Sequence, residues 1–164
     1  MTRTLTGKPS IDRPWMQYYP PQLMEGLSIP EDTVYEYLLK RCPGDDVAAI
    51  HYYGREITWK EVKEQVDKVA RSLRAIGFGE GDEIPMFLRA VPEFIYVLLA
   101  AEKIGASLLC RDNTIQENVD AVKKSCAKMI IAQDFLSHED LNKYRNEAGV
   151  RGAVLLSPKQ SANR

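Results

Sequence analysis

The sequence predicts an α/β domain: a largely parallel sheet flanked by helices, with a small β-hairpin before it. Three observations carry this expectation. From Glu83 onward, short apolar segments alternate with segments of helical period, the signature of repeated strand–helix units. The apolar segments are short and unbroken, as strands buried on both faces are. Gly77, Gly105 and Gly149 fall where the helical periods stop, supplying left-handed ends.

Taken in order, residues 1–21 are expected to form an irregular arm. Pro9, Pro14, Pro20 and Pro21 interrupt regular structure, and Trp15, Tyr18 and Tyr19 give the arm anchoring side chains. A first helix is expected over Thr33–Arg41, with Asp32 as N-cap and Val34, Tyr37, Leu38 and Arg41 on one face. Pro43-Gly44 ends it. A hairpin follows: Val47–Tyr53, a turn at Gly54-Arg55, and a return over Glu56–Thr58. Thr58 and Glu61 form a capping box for a second helix, with Val62, Val66, Val69, Ala70, Leu73 and Ile76 as its inward stripe.

Glu83–Leu88 is expected as a strand. Pro92 suits the first turn of a helix to Ile104, since its missing N–H costs nothing there. This helix is apolar nearly all round, so it should be buried on several sides. Ser107–Cys110 is the next strand, Ile115–Ser125 a helix with Val119 and Val122 inward, and Lys128–Ala132 a strand. Ser137 caps a helix to Glu147, and Ala153–Leu156 is a last strand.

Composition limits the function. Of 164 residues, 45% are hydrophobic and 27% charged, with a formal net charge of −1, so no overall field points to nucleic acid or an anionic membrane. Residues 1–12 lack the apolar core of a signal peptide, and the apolar run Phe94–Ala101 is too short to span a bilayer. A cytoplasmic location is therefore expected. Cys42, Cys110 and Cys126 form no CxxC pair and read as reduced structural thiols. His51 and His138 sit in no nucleophile motif.

Gly77, Gly79 and Gly81 suggest a dinucleotide loop, but they leave a helix and enter a strand, opposite to what a phosphate-cradling loop requires. Lys123, Lys124 and Lys128 read as a solvated face, and Asp45-Asp46 as a turn. Arg111-Asp112-Asn113 follows a strand at its carboxyl end, where α/β ligands tend to bind, but reads as an ordinary loop. No metal, Walker A or nucleophile-elbow motif is present. The sequence accordingly nominates no catalytic, cofactor-binding or metal residue.

The order of several segments resembles a known family. Ile57-Thr58-Trp59-Lys60-Glu61, then Leu73-Arg74-Ala75-Ile76-Gly77-Phe78, is similar to the opening of adenylate-forming enzymes, the ANL superfamily. Gly81-Asp82-Glu83-Ile84 resembles its strand entry. Val91-Pro92-Glu93-Phe94 with Lys103-Ile104-Gly105-Ala106 resembles its buried helix, and Ala127-Lys128-Met129-Ile130-Ile131 the strand that follows. Arg13-Pro14-Trp15, Tyr18-Tyr19-Pro20 and Thr33–Leu38 look most like the acyl-CoA synthetase branch. Ala90-Val91 and Arg111-Asp112-Asn113-Thr114 depart from the family pattern and bear on substrate class more than on fold.

The resemblance implies that residues 22–164 are the N-terminal subdomain of an AMP-binding ligase, truncated. The parent would join a small-molecule carboxylate to the α-phosphate of ATP with Mg²⁺, then pass the acyl group to coenzyme A. Transition-state phosphate charge needs a lysine, backbone N–H groups and the metal. The family carries these in a Ser/Thr/Gly-rich loop ending in Pro-Lys and in later segments; Ser157-Pro158-Lys159 echoes only the end of that loop. The fragment is thus expected to be inactive alone and to bind none of these ligands. Its partner would be the remainder of the ligase chain, with no nucleic acid and no membrane contact, and it should self-associate through exposed core. The alternative is a stand-alone non-catalytic module serving partner binding or regulation. Val154–Ser157 reads as a core strand cut soon after, which favours the fragment.

Overall fold

The computed structural model describes residues 5–23, 30–110 and 114–157. They divide into two compact units, one through Glu31 and one from Asp32. The Arg111-Asp112-Asn113 loop and the Pro158-Lys159 pair lie outside the described residues.

In the first unit three of the four prolines named above start short turns. Pro9 opens helix α1 (Pro9–Asp12), and Pro14 and Pro21 open 3₁₀ turns over Pro14–Tyr18 and Pro21–Leu23. A first-turn N–H has no partner to lose, so proline fits there. Trp15, Tyr18 and Tyr19 are exposed.

The second unit opens with α2 (Val34–Lys40). Its cap is Thr33, not Asp32: the Thr33 hydroxyl accepts from the Glu36 N–H while the Glu36 carboxylate accepts from the Thr33 N–H. Asp32 instead pairs with Lys40. The buried face is also rotated from the expected one. Tyr35 is buried and Val34 is 53% exposed, because the Glu102 carboxylate accepts the Tyr35 N–H at 2.9 Å and Lys103 lies over the Tyr35 ring.

Strands β1 (Ala48–Tyr52) and β2 (Arg55–Thr58) form the expected antiparallel hairpin. Its turn is Tyr53-Gly54, one residue earlier than expected, with φ of 47° and 81°. Two successive left-handed residues match the twist of the flanking strands. Thr58 and Glu61 make the expected capping box of α3 (Trp59–Ala75). Val62, Val66, Ala70 and Leu73 are buried, whereas Ile76 is 36% exposed, because the helix has already ended there. The Gly77 and Phe78 N–H groups close that end on Arg74 and Leu73.

The main sheet has four parallel strands in the order β4-β3-β5-β6: β3 Glu83–Phe87, β4 Ser107–Cys110, β5 Met129–Gln133 and β6 Gly152–Leu156. Helices α4 (Pro92–Ile104), α5 (Ile115–Ser125) and α6 (His138–Ala148) supply the crossovers. The ends of β3, β5, β6 and α6 each lie within a residue of the sequence expectation. α5 ends on Cys126, left-handed at φ 58° without a glycine. The buried side chains form two clusters. One joins α3, α4, Ile84, Met86 and Ile131; the other joins Val119, Val122, Ile130, Tyr144 and Val150. Consecutive residues of β5, Ile130 and Ile131, enter different clusters, so the sheet separates the two cores.

Candidate functional site

The strand order places a reversal point. From β3 the chain crosses to β4 on one side through α4. From β4 it returns past β3 to β5 through α5. In open parallel sheets such a reversal leaves a crevice at the carboxyl ends of the two diverging strands. A cleft of about 560 Å³ lies there, between the end of β3 with the segment that follows it (residues 87–90) and the end of β5 with its following turn.

Its floor is aromatic. Phe87 stacks on Tyr144 with ring centroids 5.6 Å apart, and Tyr144 is 1% exposed. Burial pushes the Tyr144 phenol up to about 12, reinforced by Asp140 and partly offset by the nearby Asn118 side chain. Its rim is polar: the Gln133 side-chain oxygen accepts the Arg89 N–H at 3.4 Å, and the Arg89 guanidinium lies 5.4 Å from the centre of the exposed Phe135 ring. A guanidinium, an amide and a ring face can hold a planar or anionic group. Among the described residues, the lining contains no serine, threonine, cysteine or histidine.

A second cleft, about 540 Å³, lies between α3 and α4 over β5 and β6, on the sheet face that these helices cover. Ile131, Val154 and Leu156 form its apolar floor, while Arg55, Glu61 and Glu93 lie on its polar side. Arg55 pairs with Glu61 at 3.3 Å. The Thr58 N–H, more than Arg55, holds the Glu61 carboxyl below the usual carboxylate range. Tyr96, in the same lining, is pushed to about 12 by burial first and Glu93 second.

The residues weighed from sequence are scattered. Cys110 ends β4, its thiol pushed up by desolvation and so a poor nucleophile. Cys42 is half-buried and Cys126 exposed. His51 faces Glu56 across the hairpin at 3.6 Å, and His138 opens α6. Asp45 pairs with Lys63 at 2.6 Å. Lys123 and Lys124 sit exposed in the last turn of α5. Gly77 and Gly81 are left-handed, and Asp82 accepts the Gly79 N–H at 2.7 Å, so this stretch is a helix stop and turn. Among the described residues no three His, Cys, Asp or Glu groups converge on a metal position, and no helix is long and apolar enough to cross a membrane. The cleft residues Arg89, Gln133, Phe135 and Tyr144 were not singled out by the sequence. The one signal that reaches them is position, since Arg89, Gln133 and Phe135 stand at or just past strand carboxyl ends.

Comparison with known proteins adds a family. The profile of the AMP-binding enzyme family matches residues 37–163. An acetyl-coenzyme A synthetase from Streptomyces avermitilis is 32% identical over 96 residues, covering 54% of this chain but 15% of that protein. A 3-hydroxypropionyl-coenzyme A synthetase from Metallosphaera sedula is 31% identical over 80 residues, covering 48% of this chain and 12% of that one. Among solved structures, apo MatB from Rhodopseudomonas palustris superimposes with a TM-score of 0.66 at 20% identity, over 76% of this chain and 25% of MatB. The N-terminal domain of FACL13 from Mycobacterium tuberculosis gives 0.63 at 18% identity, over 78% of this chain and 34% of that one. The match therefore spans only a small part of each of these proteins.

Proposed function

The chain belongs to the AMP-binding enzyme family, and from that premise we propose that it is the N-terminal portion of an ATP-dependent acyl-CoA synthetase, inactive by itself. The observation that carries this reading is the match over residues 37–163 together with the names of the relatives, which are acyl-coenzyme A synthetases. In this reading the substrates of the parent are a small carboxylate, ATP and coenzyme A. The carboxylate displaces pyrophosphate from the α-phosphate, and the thiol then displaces AMP. Residues 22–164 are its first subdomain, residues 1–21 its leading arm, and the location is cytoplasmic.

The fold supports a division of labour. The reversal-point cleft offers a guanidinium, an amide and aromatic faces, which bind and orient. The transition state needs concentrated positive charge and donors aimed at phosphate oxygens. Among the described residues no three His, Cys, Asp or Glu side chains converge where Mg²⁺ could be held. The groups for both tasks belong to other parts of the ligase.

Two measurements test this. ATP–pyrophosphate exchange by the isolated chain, with acetate and longer carboxylates, is expected at background; exchange above it would overturn the assignment of inactivity. Reading the source transcript past the codon for Arg164 tests parentage. An open frame encoding a Ser/Thr/Gly-rich loop ending in Pro-Lys is expected, whereas a stop codon would leave the free-standing module.

A further inference from the structure

Resting on the reading of the reversal-point cleft as a surface that binds and orients, we propose that this cleft is a binding site for a small aromatic carboxylate, held by the Arg89 guanidinium and the Phe135 ring. Charge argues for an anion. Among the described residues of the lining, Arg89 is the one charged side chain. Asp134, between Gln133 and Phe135, is exposed and outside that lining. The guanidinium pairs with no carboxylate among the described residues; its contact is the Phe135 ring, 5.4 Å away at the centre. The Gln133 side-chain oxygen accepts the Arg89 N–H, which leaves the amide NH₂ as a further donor.

The rest of the lining argues for a flat apolar body. Phe87, Leu88, Ile115 and Leu136 are half-buried and Phe135 is 61% exposed, so apolar surface is within reach of a ligand. A guanidinium beside a ring face pairs bidentately with a carboxylate while the ring stacks on the ligand's own. The same inventory disfavours a polyphosphate. Several phosphate charges need several cations or a cradle of backbone N–H groups, and the lining offers one cation. The start of α5, which borders the cleft at Ile115, already carries the Glu117 carboxylate in its capping box.

Isothermal titration calorimetry of the 164-residue chain with naphthoate as the probe tests the proposal. Saturable binding at one site is expected. The neutral isostere naphthamide should bind at least about tenfold more weakly. Arg89→Gln should raise the naphthoate dissociation constant at least about tenfold, and Phe135→Ala about threefold. Both side chains are exposed, so circular dichroism should not change. Lys124→Gln removes an exposed cation outside the lining and should leave the affinity as it was. Absence of saturable binding, equal affinity for the amide, or an Arg89→Gln variant that binds as before would each overturn the proposal. So would an equal loss with Lys124→Gln, which would mean a diffuse charge effect, or tighter binding of ADP, which would assign the cleft to a polyphosphate. Pyrophosphate exchange on the same samples keeps the two readings apart: exchange above background would defeat the assignment of inactivity without touching the site, and failure of naphthoate to bind would do the reverse.

Discussion

The two clefts are nearly equal in volume, about 560 and 540 Å³, yet they differ in what closes them. The reversal-point cleft sits on a finished core: its floor includes Tyr144, which the stacked Phe87 and the α5–α6 pair enclose almost completely. The α3–α4 cleft sits on an unfinished one, with Val154 and Leu156 in its floor only half-buried. A volume alone therefore does not identify a ligand site. A crevice built on buried, mutually supported side chains offers a ligand fixed groups, whereas one floored in part by half-buried aliphatic residues leaves apolar surface open to water.

Substitutions can break this contrast. Tyr144→Ala should cost about 3–5 kcal/mol of stability, because it removes a fully enclosed aromatic ring. Val154→Ala should cost less than half as much, since that side chain is only partly out of water. Urea midpoints of the two variants measure the difference, and equal losses would mean that the second floor is as well packed as the first.

Next in size is Thr58→Ala, which removes half of the capping box beside the α3–α4 cleft and should cost about 1 kcal/mol. The partner in that box carries a pH signature. Folding lowers the Glu61 pKa, so its contribution is present above the ordinary carboxylate range and is lost as pH falls through the lower folded value. Glu61→Gln should flatten that acid-side loss in melts at several pH values.

Each cleft also holds one phenol pushed to about 12, Tyr96 in one and Tyr144 in the other. A folded pKa above the unfolded value favours the proton-bound state, so this stability is complete below about pH 10 and declines as pH rises toward 12. Tyr96→Phe and Tyr144→Phe should each reduce the alkaline slope. Equal reductions would sharpen the contrast by showing that the clefts differ at their floors and not in how deeply they hold a ring. Smallest of all, Arg89→Ala should change stability by less than about 0.5 kcal/mol, because the residue is exposed and its guanidinium lies over the exposed Phe135 ring.

Much of the fold was legible because its signals are local. Pro92 and Gly105 bound α4, and Thr58 with Glu61 starts α3, as the sequence implies. Where the reading failed, contacts from distant residues decided. α2 is turned so that Tyr35 faces inward because Glu102, 67 residues away, accepts its N–H. The hairpin turn is shifted because the twist of the strands demands two left-handed residues, which Gly54 alone does not announce. The candidate site was the least legible part. Arg89, Gln133 and Tyr144 lie on three separate segments, and only the order of the strands brings them around one crevice. Nothing in their spacing encodes that order.

The joint between Gly81 and Gly105 has a consequence for the order of folding. The Gly81 N–H donates to the Gly105 carbonyl at 2.8 Å, and the Ser107 N–H to the Asp82 carbonyl at 2.9 Å. A β-carbon at residue 105 would come within 3.0 Å of the Glu80 side chain, so the two loops fit closely there. These bonds lie at the entrance of β3 and β4, and they join positions 24 and 25 residues apart. Closing so short a loop costs little chain entropy, so β3–β4 with α4 between them can form early, and β5 and then β6 add outward from it. Among the described strands, β6 is then the last to arrive. During synthesis it would leave the ribosome onto a template that is already assembled.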